Sequence, residues 1–353
     1  MYLLRPAKLD DLAAIMELSR HLDSPNLPHD EAFVRGRLER SRRSFAEPAP
    51  PSADREYQLA LEDAAGQVVG TCAVLAKHGT PEMPHLYLRV SIEERRAESV
   101  DVTMKHCILQ LGASTDGPSE VGSLVLLPEA RGVPGSPGKL LSWGRFALIA
   151  QFPSCFEANV LAEMRATLDE NGRNAFWESF GQRFTDMSYL DADRLSAENK
   201  NFIVDLFPDI PFYATLLPDE VMEELGCVHP ETTPALRLLQ RAGFHWIGEI
   251  DPFDAGPFVG ARTEEVIPIR DAQRAVLASE TLEEDHPEAL RWIISYVDGR
   301  GFRAVMTRAA LDGDQARLDK ETVDRLGLGS GAELLLTPAP TTDSILAQKG
   351  ELG

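Results

Sequence analysis

The sequence predicts an α+β fold with a mixed sheet, on three observations about the order of its patterns. Residues 57–61 alternate apolar and polar side chains, 64–66 carry turn residues, and 68–75 return as a second strand, so a hairpin is expected. Residues 122–127 form an apolar run that ends in a loop rich in glycine and proline. A helical pattern over 140–150 follows that loop. Helices interspersed with antiparallel and buried strands are typical of the α+β class.

The other elements follow from local signals taken in chain order. A short apolar start at 3–6 predicts a strand, and Asp10 and Asp11 precede the helical spacing of Leu12, Ile15 and Leu18. Further segments are assigned by periodicity and turn residues. They are a loop at 24–28, helices at 29–44 and 176–184, and strands at 86–90 and 159–166.

The chain is too long for one ordinary core, since it has 353 residues. We predict three units: 1–190 as a first domain, 191–267 as a second α/β portion, and 268–353 as a small C-terminal β-rich unit. The β-rich assignment rests on apolar runs near 302–306 and 334–336 with a glycine-rich turn before the second.

Composition and charge exclude several classes of function. The formal net charge of −21 would repel a nucleic-acid backbone, so nucleic-acid binding is not expected. Apolar runs stay short of the roughly eighteen residues of a membrane span, and we read no signal peptide, so a cytoplasmic protein without membrane contact is expected. The four cysteines (Cys72, Cys107, Cys155 and Cys227) form no CxxC or Cys/His cluster, so no metal site is predicted.

The segment after the buried strand carries the first residues with chemistry. A strand that ends in a glycine-rich loop and opens a helix presents backbone N–H groups that bind phosphate. Pro134 and Pro137 interrupt this loop and have no N–H to donate. The segment resembles the acyl-CoA-binding signature of the GNAT superfamily of N-acetyltransferases, in which such a loop holds the coenzyme A pyrophosphate. The coenzyme A-binding residues that this implies are Arg131, Gly132, Gly135 and Gly138, and the resemblance makes the unit 1–190 a GNAT-like acyl-CoA-binding domain.

Two downstream segments resemble a more specific family. They are residues 162–184, including Phe176-Trp177-Glu178, and residues 228–244, including Val228-His229-Pro230-Glu231. Together they are similar to arginine N-succinyltransferase, and the similarity spans roughly residues 1–340. The resemblance implies an acetyltransferase-like mixed sheet flanked by helices and a reaction of succinyl-CoA, as co-substrate, with the α-amine of L-arginine. It implies no other cofactor, a proton-donor role for His229 and a succinyl-CoA contact at Leu124.

His229 also has a reading from its own context. Imidazole titrates near neutrality and moves protons in either direction. Pro230 restricts His229 to an extended backbone, and residues 232–235 can cap and start a helix, so His229 is expected at a loop-to-helix junction. A purely structural capping histidine is the alternative.

Arginine also requires carboxylates for its guanidinium group. The candidates by context are Glu163, Asp169, Glu170 and Asp254, with Arg165 or Arg89 for the succinyl carboxylate; surface positions are the alternative for each.

Two other functions stay open from the sequence. One is an N-acyltransferase for another amine, such as ornithine, or for another acyl-CoA. The other is a non-catalytic partner subunit of the same fold. This alternative remains because Pro134 and Pro137 remove N–H donors from the glycine loop, which could impair coenzyme A binding. The partners expected are therefore succinyl-CoA and L-arginine, together with a homo- or hetero-oligomeric assembly that includes a related subunit.

Overall fold

The computed structural model of the chain describes residues 1–22, 27–81, 83–196, 199–283 and 286–340. The predicted loop at 24–28 lies largely outside these ranges, and so does the end of the predicted C-terminal unit beyond residue 340.

Fifteen strands within the described ranges join edge to edge into one mixed sheet. The strands are β1 Leu3–Pro6, β2 Glu56–Glu62, β3 Val68–Leu75, β4 His85–Ala97, β5 Val102–Ser114, β6 Ser119–Leu126, β7 Asn159–Glu163, β8 Phe212–Tyr213, β9 His245–Ile250, β10 Pro257–Arg262, β11 Gln273–Leu277, β12 Leu290–Asp298, β13 Gly301–Asp312, β14 Gln315–Arg317 and β15 Glu333–Pro338. Their spatial order is β12-β15-β11-β14-β13-β1-β2-β3-β6-β7-β10-β9-β4-β5-β8. The β6–β7 and β11–β14 pairs are parallel, whereas the other pairs are antiparallel.

Helices flank this sheet. They are α1 Leu12–Ser19, α2 Glu31–Ala46, α3 Pro137–Gln151, α4 Ala175–Ser179, α5 Gly181–Thr185, α6 Tyr189–Ser196, α7 Asn201–Leu206, α8 Asp219–Glu224, α9 Thr233–Arg241, α10 Ile267–Arg270 and α11 Lys320–Leu326. None of the helices in the described ranges has the length and apolar character that crossing a bilayer requires.

The alternation of side chains on β2 decides which helices cover which face of the sheet. Tyr57, Leu59 and Leu61 belong to the apolar cluster that includes the buried helix α3. Ala60, which points to the other face, packs with residues of α1 and α2. The sheet is therefore covered on both sides at its centre, and the predicted α+β class is confirmed.

The C-terminal strands continue the same sheet. β13 pairs with β1 at Leu4 and Ala304, and β11, β12, β14 and β15 lie beyond it with their own apolar cluster under α11. On the other side of the centre, β9 and β10 lie between β7 and β4, although they come from the predicted second portion of the chain. The division into three units stays a prediction.

Two local predictions were wrong in detail. The single helix predicted at 176–184 is two short helices, because Phe180 leaves helical geometry with φ −125° and ψ −73°. The strand predicted at 86–90 extends to Ala97 and pairs along its whole length with β5, which the sequence reading omitted. Residues 91–105 of this ribbon are largely exposed on both faces. Their sequence therefore does not need to alternate apolar and polar residues, and that alternation is the signal by which a half-buried strand is predicted.

Candidate active site

A wedge-shaped opening lies at the centre of the sheet between β6 and β7. These parallel strands pair at Ser119–Val160 and Glu120–Leu161, near the start of each strand. Beyond those positions β6 continues along β3 to Leu126, while β7 continues along β10 to Glu163. The two strands therefore diverge toward their carboxyl ends, the edge at which α/β sheets bind ligands.

A β-bulge in β6 borders this opening. Thr71 pairs with Val125 and Ala73 pairs with Gly122, so β6 carries one extra residue there. Ser123 absorbs the bulge with a left-handed φ of 49°. The Ser123 hydroxyl oxygen accepts a hydrogen bond from Arg37 Nη1 at 3.0 Å. Bulges redirect the backbone of the following residue, which here is Leu124, the position matched to succinyl-CoA binding.

The glycine loop that follows β6 contains a tight turn built by its proline. Ser136 N donates to Val133 O at 3.3 Å across Pro134 and Gly135. Gly135 has φ +85°, which is the conformation that a type II turn requires after proline. Gly132 is also left-handed, at φ +68°, and a Cβ there would meet no atom within 4 Å. Arg131 Nε donates to Leu126 O at 3.1 Å and holds the loop to the end of β6.

Helix α3 begins at the end of the loop. Pro137 is its first residue, where a missing N–H removes no intrahelical bond. Gly138 follows, and a Cβ there would lie 3.7 Å from Leu126, which is an ordinary contact. Burial, together with the charges of Arg291 and Arg241, lowers the pKa of Lys139. Three cationic side chains therefore lie near the positive end of this helix.

His229 lies at the junction that the sequence predicts, half-buried before the short 3₁₀ turn that leads into α9. Its backbone N–H donates to Arg165 O at 2.8 Å, which places it just beyond the carboxyl end of β7. Its Nδ1 accepts from Glu231 N at 3.2 Å. In the neutral imidazole an accepting Nδ1 leaves the proton on Nε2, so His229 presents a donor.

The helices that follow these two segments pack against each other. Trp143 Nε1 on α3 donates to Leu238 O on α9 at 3.0 Å. The ring of Phe146 on α3 lies 5.5 Å from that of Phe244, which follows α9. The structure therefore brings the predicted residues of the glycine loop to the β6 side of the opening and His229 to its β7 side.

A cavity of about 470 Å³ adjoins the opening, a volume typical of small-molecule sites. Arg37, which bonds to the bulge of β6, lines it, and so does Arg165, whose carbonyl holds His229. The remaining charged residues of its wall are Arg40, Glu56, Lys77, Glu163, Asp193, Lys200, Asp251 and Asp254.

Burial controls the ionisation of three of these acids. Burial and the neighbouring charge of Asp251 raise the pKa of Asp254 to about 7. Burial, followed by the charges of Asp251 and Glu120, raises the pKa of Glu163 well above its usual value. Burial also raises the pKa of Asp251. Several neighbouring acids whose ionised forms are disfavoured, and whose pKa values are therefore raised, are typical of catalytic and ligand-binding sites.

The structure separates the acids and bases that the sequence proposed for the substrates. Glu163, Asp254 and Arg165 line the cavity. Asp169 instead accepts the backbone N–H groups of Asn171 and Arg173 in an exposed turn that also holds Glu170. Arg89 lies on exposed β4, 3.7 Å from Glu249.

Sequence reasoning missed several residues of the site. Asp251, Asp193 and Lys200 line the cavity, and Arg241 and Arg291 lie near the start of α3. Arg291 comes from β12, far along the chain from the loop that it adjoins. Asp251 follows an apolar strand end, which is the one local signal that was available for it.

The family model described as arginine N-succinyltransferase beta subunit matches residues 2–268. This chain belongs to the arginine N-succinyltransferase family. It is 35% identical to arginine N-succinyltransferase subunit beta of Pseudomonas aeruginosa. The alignment spans 339 residues and covers 95% of this chain and 98% of that protein. The chain is 33% identical to arginine N-succinyltransferase of Yersinia pseudotuberculosis serotype O:3, over 94% of this chain and 96% of that protein.

A solved succinyltransferase shares the fold of this family member. The structure of arginine/ornithine succinyltransferase subunit AI from Pseudomonas aeruginosa superposes with a TM-score of 0.81 at 28% identity. It covers 97% of this chain and 99% of that one. The fold and family that the sequence motifs predict for this succinyltransferase-family chain are therefore confirmed.

Proposed function

We propose that this chain transfers the succinyl group of succinyl-CoA to the α-amine of L-arginine. The observation that carries the proposal is the opening between β6 and β7, with the glycine loop on one side and His229 on the other. The cavity that adjoins this opening is lined, among the described residues, by five acidic and five basic side chains, so it offers partners for both the guanidinium group and the α-carboxylate of an amino acid. Relatives over 95% and 94% of the chain are named for this reaction.

Coenzyme A would bind with its phosphates at the loop that starts α3. The residues proposed to hold them are Arg131, Gly132, Gly135 and Gly138, with Lys139, Arg241 and Arg291 around them. These cations would provide local compensation for an anionic ligand in a chain of net charge −21. The pantetheine arm would lie along β6, so that the thioester reaches Leu124, which follows the bulge at Ser123.

The proposed chemistry is direct attack. The α-amine loses a proton and attacks the thioester carbon, so that a C–N bond forms and a tetrahedral oxyanion develops. Collapse of this intermediate breaks the C–S bond. The imidazolium form of His229 protonates the departing sulfur from Nε2, and the proton released by the amine nitrogen as the amide forms restores the imidazolium. Partial burial and Glu224 raise the pKa of Cys227, two residues before His229, so this thiol is poorly suited to form an acyl-enzyme.

The test is thiol release by the full chain over a panel of acyl donors and amines. We expect the highest kcat/KM with succinyl-CoA and L-arginine, and lower values with acetyl-CoA or L-ornithine. Faster release with ornithine would favour another acceptor. No release, together with no heat of binding on titration with succinyl-CoA, would favour a non-catalytic partner subunit instead.

Relatives of this chain are named as subunits, and we infer that it assembles with another copy or with a related subunit. The ribbon of β4 and β5 supports this inference. A two-stranded ribbon is only marginally stable without further contacts. This ribbon carries four large apolar side chains that are exposed to solvent. They are Ile92, Val100, Val102 and Met104.

Replacing Gly132 with valine tests the phosphate loop. We expect the Kd for succinyl-CoA to rise at least about tenfold, because hydrogen bonds to a charged group contribute about 1.5–3 kcal/mol each and a side chain would separate the loop from the phosphates. Isothermal titration measures this change. The matched control is Gly313→Val, since Gly313 is also left-handed, at φ +61°, with open space around it. An equal rise in the Kd for succinyl-CoA in both variants would argue against a role of the loop in binding the phosphates.

A further inference from the structure

Glu163 has a position in the cavity that its protein neighbours do not explain. It is the last residue of β7 and lines the cavity wall. Within the described ranges, its carboxylate makes no hydrogen bond and no ion pair; Lys200 acts on it only at longer range. This side chain is partly buried, and desolvating a carboxylate that has no partner is costly, so a ligand that supplies N–H donors there would be favoured.

Asp251 presents a second carboxylate oxygen of the same kind. The residue is only 5% exposed and also lines the cavity. Its Oδ1 accepts the backbone N–H groups of Phe253 at 2.6 Å and Asp254 at 3.2 Å. Its Oδ2 has no hydrogen-bond partner among the described residues. Asp251 is therefore held rigidly by one oxygen while the other remains available.

Asp254 differs from these two acids, although it is close to them. Its Oδ1 accepts from Gly256 N at 2.6 Å and its Oδ2 accepts from Ala166 N at 3.0 Å. Both oxygens are therefore used to tie the turn before β10 to the segment after β7. This assigns Asp254 to the framework of the site, and it leaves Glu163 and Asp251 as the pair that can receive a ligand.

We propose that Glu163 and Asp251 bind the guanidinium group of the acceptor amino acid and so determine the specificity of the enzyme. The proposal rests on the proposed function and deepens it. A guanidinium group presents five N–H donors in a planar fork, which two carboxylates can share, whereas the ammonium of ornithine is a point charge. The neutral urea group of citrulline has nearly the same shape but no charge to offset the buried acids.

The placement of the pair agrees with the rest of the site. The cavity extends from Glu163 and Asp251 to Arg37, which donates to Ser123 in the bulge of β6. An amino acid held by its side chain at the two acids would therefore direct its backbone end toward the opening where the thioester is proposed to lie. Arg165 and Arg37 line the same cavity, where Arg37 forms a buried ion pair with Glu56.

The experiment measures kcat/KM for L-arginine and L-citrulline in the full-length chain and in the variants Glu163→Gln and Asp251→Asn. These amides preserve shape, and the Asn side chain keeps an oxygen for the turn. We expect kcat/KM for arginine to fall about a hundredfold, as for removal of one partner of a buried charge pair. We expect citrulline to change little, so that the preference for arginine collapses, and the Kd for succinyl-CoA to stay unchanged.

Glu170→Gln is the matched control, because it makes the same substitution on an exposed turn outside the cavity. A purely structural role of the two acids would lower kcat/KM for both amino acids in parallel, and this result would overturn the proposal. If the wild type is active and the two variants keep its preference for arginine over citrulline, the proposal is also overturned, while the proposed function remains intact.

A wild-type chain with no activity toward any amine would contradict the proposed function separately. In that case calorimetric titration with L-arginine decides the present proposal. Binding that is weakened by Glu163→Gln and retained by Glu170→Gln supports it, and no binding to the wild-type chain overturns it.

Discussion

Replacing His229 with alanine is expected to lower kcat by about 10²–10⁴-fold, the range for loss of a positioned general acid. The reason is geometric. Nδ1 accepts from Glu231 N at 3.2 Å, which leaves Nε2 as the nitrogen that can exchange a proton with the leaving thiolate, and the backbone of His229 is fixed to Arg165 beside the opening. The affinity for succinyl-CoA should change little, because the loop proposed to bind the phosphates lies across the opening. Steady-state kinetics and calorimetric titration measure the two quantities.

A second substitution separates catalysis from helix capping. Asparagine at position 229 can still accept the Glu231 N–H through its side-chain oxygen, but its amide is no acid near neutral pH. His229→Asn should therefore retain the thermal stability of the wild type and lose as much kcat as His229→Ala. His245→Ala is the matched control, since His245 is exposed on β9. Wild-type turnover in His229→Asn would reduce His229 to a structural cap.

Replacing Trp177 with alanine is expected to lower the free energy of unfolding by about 3–5 kcal/mol, the usual cost of deleting a buried large aromatic side chain. Trp177 is fully buried, stacks on Phe253 with ring centroids 5.5 Å apart and an angle of 8°, and donates Nε1–H to Met187 O at 3.0 Å. A Cβ on Gly181 would clash with its ring, so a glycine at this helix break leaves room for the indole.

Urea unfolding of Trp177→Ala and Trp246→Ala provides the comparison. Trp246 is 41% exposed on β9, so the same substitution there should cost much less. Because Phe253 lines the cavity, Trp177→Ala should also raise KM for the acceptor. Equal midpoints for the two variants would show that the Trp177 packing contributes little to stability.

The sequence predicts the parts of this molecule that depend on neighbouring residues in the chain. The hairpin of β2 and β3 is set by alternation and a turn, and the step from β6 through the glycine loop to α3 is set by an apolar run and glycines. His229 is placed before a 3₁₀ turn by Pro230, which restricts its backbone. In each of these cases the determining signal lies within a few residues.

The remaining features depend on contacts between distant segments, which no local pattern records. Asp251 becomes part of the cavity only because β9 and β10 insert between β7 and β4. Arg291 reaches the start of α3 only because β12 packs beneath that helix. Asp169 and Glu170 were candidates together with Glu163, and it is the turn after β7 that leaves them exposed.

The product that the chain forms from L-arginine and succinyl-CoA labelled with ¹³C in the succinyl group tests the proposed reaction most directly. Nuclear magnetic resonance of the product locates the new amide bond. We expect one succinyl group per arginine, on the α-nitrogen, formed together with one equivalent of free coenzyme A thiol. Label that remains in succinyl-CoA or in free succinate, with no amide to arginine, would contradict the central claim.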